Sequence, residues 1–351
     1  MRQVGIGAGL LALLVLAASV AAASLPEGPR LSFVVWKTGK PMELKVATVD
    51  AEGSTRTTLA GNGRIWPTPF SGGSWSPDGS SLAFAGAPRQ GEGAHGQIYL
   101  VSADGGAPVP VPGSREGHEP VFSPDGHTIA FSRTKLDFKL NLMHPERSRD
   151  YFSTTAWLVD LVSGEAKKLT PWRNGLRVTP TSFSPDGSEL LVEREQGKGE
   201  EVAVFELGSG RMTLFARNAH DPAYSPDGSR IALISDRDRV TIDGADGPIT
   251  FGELYVVGAD GADWRRLTHN RTSEEEAPSW DPSGRRLAFA QTTGPGTIGF
   301  GLTNVIMEVN ADGSCPTRVV GKFRSEPSSK LGLFAPTWRP GPGREAGPIA
   351  C

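Results

Sequence analysis

A short phrase returns six times along the chain and limits its fold more than any other feature. In the clearest copies an aromatic residue is followed by Ser-Pro-Asp-Gly, as in Trp75 to Gly79. The copies occupy residues 74–79, 122–126, 183–187, 224–228, 280–284 and 338–341, the last two in altered form. Their prolines lie between 41 and 61 residues apart. Self-similarity at such a period indicates a repeat architecture in which each copy belongs to one structural unit.

Each unit carries the same strand pattern after the phrase. In the first unit, residues 81–85 form one apolar run, and residues 98–101 form a second that ends at Asp104-Gly105. Short apolar runs bounded by turn residues predict strands, and Pro, Asp and Gly each favour a turn. Four strands, A to D, joined by tight turns correspond to one propeller blade. We predict no amphipathic helix after residue 24.

The two ends of the chain complement each other. Residues 31–59 supply strands B, C and D of a blade without a strand A, and residues 334–339 supply a strand A without a blade. Joining them would cover the edge strands. We therefore predict an all-β fold, a six-bladed β-propeller of four-stranded antiparallel blades, closed by the C-terminal strand. The recurring aromatic residues are predicted to pack between blades.

The phrase resembles the PD-type, WD-repeat-like repeats of TolB-like β-propeller proteins, over roughly residues 31–341. The resemblance implies the same six-bladed fold, and TolB itself implies a role in the cell envelope. Propellers serve many unrelated functions, so the resemblance is more specific for fold than for function. The predicted domains are a signal peptide over 1–23, the propeller over 24–341 and a tail over 342–351.

The first 23 residues predict export. Arg2 precedes an apolar run from Leu10 to Ala18, and Ala21-Ala22-Ala23 follows. A basic start, a short apolar region and small residues at the end are typical of a secretory signal peptide. Retention as a membrane anchor is the alternative, although a spanning helix needs about 20 apolar residues. We expect a periplasmic or extracellular protein with no membrane span after signal removal.

Charge excludes one class of partner. The chain has 36 Lys and Arg against 39 Asp and Glu, and the two signs are interspersed without a basic stripe. Nucleic acid is therefore not an expected partner. The acidic run Glu274-Glu275-Glu276 is predicted to be a solvated loop. We expect a monomer.

The chain has two cysteines, Cys315 and Cys351. Cys315 follows the C–D turn of the last full blade, and Cys351 ends the tail that leaves the neighbouring strand A. The A–B and C–D turns open on the same face, so both cysteines are expected on one side of adjacent blades. An exported chain permits a disulfide. We predict a Cys315–Cys351 bond, with two free thiols as the alternative.

The remaining loops locate the candidate site. The B–C connections are long at residues 133–154, 236–252 and 292–303, and binding residues concentrate on variable loops of a rigid scaffold. Aligning the units places one residue each before strand A, at the channel mouth: Ser71, His118, Thr179, His220, Glu276 and Phe334. Glu119 and Asp221 follow the two histidines. The predicted ligand-binding residues are thus His118, Glu119, His220, Asp221 and Glu276.

Three interpretations of these residues remain open. His118, His220 and Glu276 can hold a divalent cation, or the cluster can bind a cationic or sugar ligand. Alternatively, the His-Glu-Pro and His-Asp-Pro segments cap strand A by bonding backbone amides. Oligogalacturonate lyases are similar propellers, and that resemblance implies a metal-assisted carbohydrate-active enzyme as the alternative function. A resemblance to peptidase propellers would require a separate hydrolase.

The first function predicted is an exported, non-enzymatic propeller that binds a protein or an envelope component through the face on which the B–C and D–A connections lie, the B–C/D–A face. No cofactor is required in this interpretation, and a divalent metal enters only in the alternative.

Overall fold

The computed structural model describes residues 30–37, 43–50, 56–61, 65–68, 72–88, 96–136, 152–197, 199–244, 247–269, 273–293, 303–320, 331–340 and 348–351. In these ranges every regular element is a β-strand. The same ranges contain no helix of the length and apolar character that a membrane span requires. The predicted signal peptide, residues 1–23, lies outside the described residues.

The strands follow one another along the chain with short connections. The first eight are β1 (Arg30–Lys37), β2 (Glu43–Asp50), β3 (Arg56–Ala60), β4 (Ile65–Pro67), β5 (Ser74–Trp75), β6 (Ser81–Pro88), β7 (Gln97–Ser102) and β8 (Val109–Pro110). The next eight are β9 (Gly117–Phe122), β10 (Thr128–Leu136), β11 (Phe152–Asp160), β12 (Ala166–Lys168), β13 (Leu176–Phe183), β14 (Glu189–Gln196), β15 (Gly199–Glu206) and β16 (Met212–Arg217). The last nine are β17 (Ala219–Tyr224), β18 (Arg230–Gly244), β19 (Gly247–Gly258), β20 (Arg265–Arg266), β21 (Ser273–Trp280), β22 (Arg286–Thr293), β23 (Thr303–Asn310), β24 (Thr317–Val320) and β25 (Leu331–Trp338).

These strands form antiparallel meanders in five sheets. Three sheets have four strands, in the orders β25-β1-β2-β3, β17-β18-β19-β20 and β21-β22-β23-β24. A fourth contains β4 to β8, with β4 and β5 both paired to β6. The largest joins two meanders, β9 to β12 and β13 to β16, through the parallel pair Thr154 and Arg177. The all-β, antiparallel prediction is confirmed.

The pairing of β25 with β1 agrees with the predicted junction of the two ends. The register places Leu31 opposite Trp338 and Lys37 opposite Leu331. Leu31 is fully buried and Trp338 is 4% exposed, so the junction is part of the core. The sheets remain separate from one another, and their hydrogen bonding alone does not define a closed ring.

The core lies between the sheets and is built largely from their second strands. Four of the largest fully buried side chains occupy the same place in four units: Phe33, Phe84, Phe131 and Phe289. Burial of a phenylalanine side chain contributes roughly 1.5–3 kcal/mol to the free energy of folding. These four units therefore share one packing scheme, with a buried phenylalanine at the same position of the second strand.

The first four repeat phrases fold into the same hydrogen-bonded turn. In the first copy, the Ser76 hydroxyl donates to Asp78 Oδ1 at 2.6 Å and accepts the Ser81 N–H at 3.0 Å. The Gly79 N–H donates to the Ser76 carbonyl at 2.8 Å. Gly79 has a φ of 68°, a left-handed conformation that favours glycine. The sequence phrase is therefore a specific turn that reverses the chain from the first strand into the second.

The fifth copy keeps this turn with two residues exchanged. Asp281 takes the place of the serine, and its carboxylate accepts the Arg285 and Arg286 N–H groups at 2.9 and 2.8 Å. Ser283 takes the place of the aspartate and donates to Asp281 Oδ2 at 2.6 Å. The Ser–Asp hydrogen bond is thus preserved in reverse. This copy is not a decayed version of the phrase but an inverted one.

Four first strands contain a β-bulge at the residue before a proline that occupies the same place in each of these units. Residues with positive φ there are Glu119 (52°), Asp221 (50°), Ala277 (51°) and Ala335 (47°). The register shifts at the same points in β9, β17, β21 and β25. A bulge redirects side chains and is common beside functional sites. The bulges therefore determine where the side chains of the channel mouth lie.

Adjacent first strands are connected by recurrent polar contacts. Serine hydroxyls accept backbone N–H groups of the next unit in the pairs Ser74–Phe122 (2.9 Å), Ser182–Tyr224 (3.1 Å) and Ser279–Trp338 (3.3 Å). Guanidinium groups lie over indoles of the next unit in the pairs Arg230–Trp280 (4.7 Å), Arg286–Trp338 (5.6 Å) and Arg339–Trp75 (5.4 Å). Such cation–π contacts are worth about 0.5–2 kcal/mol each. The prediction that the aromatics pack between units is confirmed.

Two further predictions have clear outcomes. The Cys315–Cys351 disulfide is present, with the two Cα atoms 5.2 Å apart. The predicted long B–C excursion over 236–252 is not an irregular loop, because β18 continues to Gly244 and β19 starts at Gly247 as an extended hairpin. Residues 137–151 and 294–302 of the other two predicted loops lie outside the described residues.

Candidate functional site

First strands surround a central cavity of about 570 Å³. Its lining comes from β5, β9, β13, β17, β21 and β25, the residues that flank them in sequence, and Glu193 of β14. Prolines, small side chains and hydroxyls make up most of the wall, including Pro120, Thr179 and Ser279. The repeat turns close one end of these strands, and the bulges lie toward the other. We call that second end the mouth.

Two smaller cavities meet the central one at the mouth. A cavity of about 480 Å³ is lined by His118, Glu119 and Arg177, among others. A cavity of about 220 Å³ is lined by His220, Asp221 and several glutamates. Glu193 lines all three cavities. We call Glu119, Glu193, His220, Asp221, Glu274 and Glu276 the mouth cluster.

Asp221 is the most connected member of the mouth cluster. Its Oδ2 accepts the Ala277 N–H from the next unit at 2.8 Å and lies 3.3 Å from His220 Nδ1. Its own N–H donates to Glu193 Oε1 in the preceding unit. Three consecutive units are therefore linked through one residue in a left-handed conformation. The predicted backbone-amide role of the His-Asp-Pro segment is observed, but it connects units rather than capping its own strand.

Glu193 was not expected from the sequence. It lies in the middle of β14, where the corresponding residues of other units are small or apolar: Val34, Ala85, Ser132, Ile234 and Ala290. A carboxylate at a position otherwise reserved for core residues is the signal that could have identified it. Aligning the second strands, and not only the residues before the first strands, would have revealed the exception.

Glu119 has a different environment on the opposite side of the cluster. Its Oε2 accepts the Ser132 hydroxyl at 2.8 Å, and both side chains line the 480 Å³ cavity. His118 lines this same cavity, whereas His220 lines the 220 Å³ one. The two predicted histidines therefore face separate cavities. Glu119, Glu193 and Asp221 instead line the central cavity together.

The acidic run at residues 274–276 is not the solvated loop that was predicted. It lies within β21, and Glu275 is fully buried, with its Oε1 accepting the Gln291 amide at 3.1 Å. Strand alternation sends Glu275 to one side of the sheet and its two neighbours to the other. Glu274 lines the 220 Å³ cavity with His220. Glu276, the residue predicted from the alignment, belongs to the same charged neighbourhood.

Burial and mutual charge shift the pKa values across the mouth cluster. Burial, with the charges of Asp221 and Glu274, raises the pKa of Glu276 to about 7. Burial and the charge of Asp221 raise the pKa of Glu193 well above its usual range. Burial alone would lower the pKa of His220, but the hydrogen bond and charge of Asp221 outweigh it and raise that pKa to about 10. The cluster therefore pairs a protonated imidazole with an ionised Asp221 near neutral pH.

The predicted metal-ligand set is divided by this geometry. Among the residues that the structure describes, no group of three or more His, Cys, Asp or Glu side chains is arranged to hold a metal ion. Ser71 of the aligned ring lies outside the described residues, and Thr179 lines the central cavity. Chemically, the mouth combines carboxyl groups, one cationic imidazole, hydroxyls and the guanidinium groups of Arg177 and Arg194. Its carboxylates attract groups of positive charge and hydrogen-bond donors.

Known proteins resemble the chain mainly in fold. No family model matches it. It is 28% identical over 225 residues to the uncharacterized peptidase YuxL of Bacillus subtilis (strain 168), covering 62% of this chain and 28% of YuxL. It is 32% identical over 101 residues to the Tol-Pal system protein TolB of Anaeromyxobacter dehalogenans (strain 2CP-1 / ATCC BAA-258), covering 28% of this chain and 20% of that protein. The chain thus spans less than a third of the length of either relative.

Among solved structures, TolB from Acinetobacter baumannii matches with a TM-score of 0.62 and 18% identity, covering 89% of this chain and 66% of that one. At this identity the likeness concerns the fold alone. The chain has a TolB-like β-propeller fold.

Proposed function

We propose that this protein is an exported, non-enzymatic β-propeller of six blades that binds a protein or a cell-envelope component at the mouth of its central channel. In this proposal the B–C/D–A face carries the binding surface. The protein acts in the periplasm or outside the cell, and it needs no cofactor. The signal-peptide pattern of residues 1–23 supports export.

The six-bladed ring is supported by two features of the strands. Six first strands contribute to the wall of one cavity, as expected when blades are arranged around an axis. β25 pairs with β1 across nearly the whole length of the chain, which provides a closing blade made from both ends. In this arrangement the eight-stranded sheet represents two adjacent blades.

The mouth cluster is the observation that carries the binding function. Its charged groups are deep among protein atoms yet open to cavities, with 26% of the His220 side chain and 32% of the Asp221 side chain exposed. The carboxyl groups of Glu193 and Glu276, whose pKa values are raised, ionise more readily beside a positive charge, so the fitting partner presents lysine, arginine or an amino group. Complementary charge of this kind favours specificity and the rate of encounter.

The hydrogen bonding of the cluster supports binding rather than catalysis. Asp221 accepts a backbone N–H and contacts His220, while Glu193 accepts the Asp221 N–H. These contacts fix the carboxylates as part of the connection between units. A carboxylate so engaged is suited to hold a charge in place, whereas a general acid or base must exchange protons with a substrate.

Site-specific photocrosslinking tests the proposal. A photoreactive residue at Thr134, which lines the 480 Å³ mouth cavity, is compared with one at Asp104 in the β7–β8 turn. Asp104 marks the opposite end, because the neighbouring Ala103 N–H donates to the Ser80 carbonyl of the repeat turn. We expect a discrete crosslinked envelope product from Thr134 only, weakened by the charge-removing Glu119→Gln variant. Equal crosslinking from both positions would contradict a binding mouth.

A further inference from the structure

Residues 348–351 are fastened to the β21–β24 sheet at two points. Cys351 is bonded to Cys315 beside the β23–β24 turn. Next to it, Asn310 Nδ2 donates to the Ile349 carbonyl at 3.0 Å, and the Ile349 N–H donates to Asn310 Oδ1 at 2.7 Å. A single side-chain amide thus pairs with the tail in both directions, as a neighbouring strand would. We call the disulfide and this amide pair the latch.

The latch encloses the strand that joins the two ends of the chain. The cysteines are 36 residues apart in sequence, and both β24 and β25 lie between them. After β24 the chain passes from the β21–β24 sheet to another sheet, in which β25 pairs with β1. β25 is therefore held at its start by the chain from β24 and at its end by the latch. Without the latch, only the first tether remains covalent.

Solvent reaches the latch but not the strands that it secures. Cys351 is exposed and Cys315 is partly exposed, whereas Leu31 and Trp338 at the β1–β25 junction are buried. Exposed disulfides are the ones that thiols reduce most readily. A reductant can therefore act on the latch while the protein is folded, before the junction opens.

We propose that the latch is a redox-sensitive device that controls how often β25 separates from β1. A dithiol reductant supplies the two electrons. Its thiolate attacks one sulfur of the bond and releases the other cysteine as a thiolate, which takes up a proton. The second thiol of the reductant then attacks the mixed disulfide and displaces the remaining protein cysteine. The products are two cysteine thiols and a cyclic, oxidised reductant. The tail is afterwards held at this point by the Asn310 amide pair.

The device follows from chain entropy and is independent of any ligand at the mouth. Closing a loop of this length restricts the opened chain, and the chain-entropy relation gives an upper limit of roughly 10³-fold on the opening equilibrium. Amide hydrogen exchange measures such local opening directly. The reduced protein is expected to expose the β25 and β1 amides without unfolding the other sheets.

Hydrogen exchange on the full chain tests this inference. Exchange is compared for oxidised protein, for protein reduced with dithiothreitol and alkylated, and for the Cys315→Ser, Cys351→Ser double variant. We expect residues 331–338 and 30–37 to exchange at least about tenfold faster in the last two, with residues 189–206 of β14 and β15 unchanged. Asn310→Ala is expected to add a further increase in the reduced protein only. Equal junction exchange in all states, or a uniform increase throughout the chain, would overturn the proposal.

Discussion

The inverted turn at residues 281–284 permits a sharp test of how the repeat phrase stabilises the fold. Asp281 is fully buried, and its carboxylate accepts the Arg285 and Arg286 N–H groups and the Ser283 hydroxyl. The Asp281→Ser variant creates the sequence Ser-Pro-Ser-Gly, which has no carboxylate. The Asp281→Ser, Ser283→Asp variant recreates the common Ser-Pro-Asp-Gly phrase. The second change should repair what the first one breaks.

The expected magnitude follows from the lost hydrogen bonds. A bond to a charged group contributes about 1.5–3 kcal/mol, and the serine hydroxyl replaces one of the two backbone contacts. We therefore expect Asp281→Ser to lower the free energy of unfolding by about 2–3 kcal/mol. The double variant should recover most of this, because Ser76 and Asp78 show that the common order satisfies the same N–H groups.

Urea unfolding followed by tryptophan fluorescence gives the free energies for a double-mutant cycle, with Ser283→Asp as the fourth member. The interaction energy between the two positions should be at least about 1 kcal/mol and favourable for matched pairs. Purely additive effects would refute the idea that the two orders are equivalent. A matched control is Ser209→Ala in the exposed β15–β16 turn, whose hydroxyl bonds Glu206 and the Arg211 N–H where water can replace it, so we expect a loss no larger than about 1 kcal/mol.

The remaining predictions concern the mouth and the junction. Because the folded pKa of Glu276 is about 7 against 4.5, the folded state binds more protons between these values, and stability should fall as pH rises from 4.5 to 7. Glu276→Gln should remove its own share of this dependence, up to about 3 kcal/mol at pH 8, and leave the shares of Glu193 and His220, as measured by unfolding at pH 5 and pH 8; an unchanged pH profile would contradict the assignment. Calorimetric titration with zinc, manganese and calcium should show no tight site, and a site that disappears on His118→Ala with His220→Ala would instead favour the metal-assisted alternative. Ending the chain at Lys330 should leave an insoluble or unfolded product, whereas ending it after Pro340 should not; a soluble Lys330 truncation with unchanged thermal melting would refute the role of β25.

The elements that could be predicted from the sequence are those specified by local chemistry. Ser-Pro-Asp-Gly fixes a turn by its own hydrogen bonds, so the order of strands around each phrase is readable. The β25–β1 pairing and the Cys315–Cys351 bond follow from counting strands at the two ends. These inferences need only short-range patterns and a known connectivity.

Less of the candidate site could be predicted from the sequence, because the site depends on contacts between units. Glu193 lies in one second strand, and its significance arises from the Asp221 N–H of the next unit. Glu275 belongs to an acidic run whose composition favours a solvent-exposed loop, yet strand pairing buries it beside Gln291. His118 and His220 are equivalent in the repeat but face different cavities. Alignment by repeat cannot reveal which neighbours the fold supplies.

The bulge position of the first strands differs in chemistry from one side of the cavity to the other. Read in chain order, the six equivalent residues are Gly72, Glu119, Pro180, Asp221, Ala277 and Ala335. Two carboxylates flank Pro180 in consecutive units, and glycine or alanine occupies the other three, with the position of a Gly72 Cβ only 3.3 Å from the Ala335 Cβ. The repetition of the backbone is therefore broken into an acidic side and a smooth side. A ligand at the mouth would meet six similar walls but only one favourable rotational orientation.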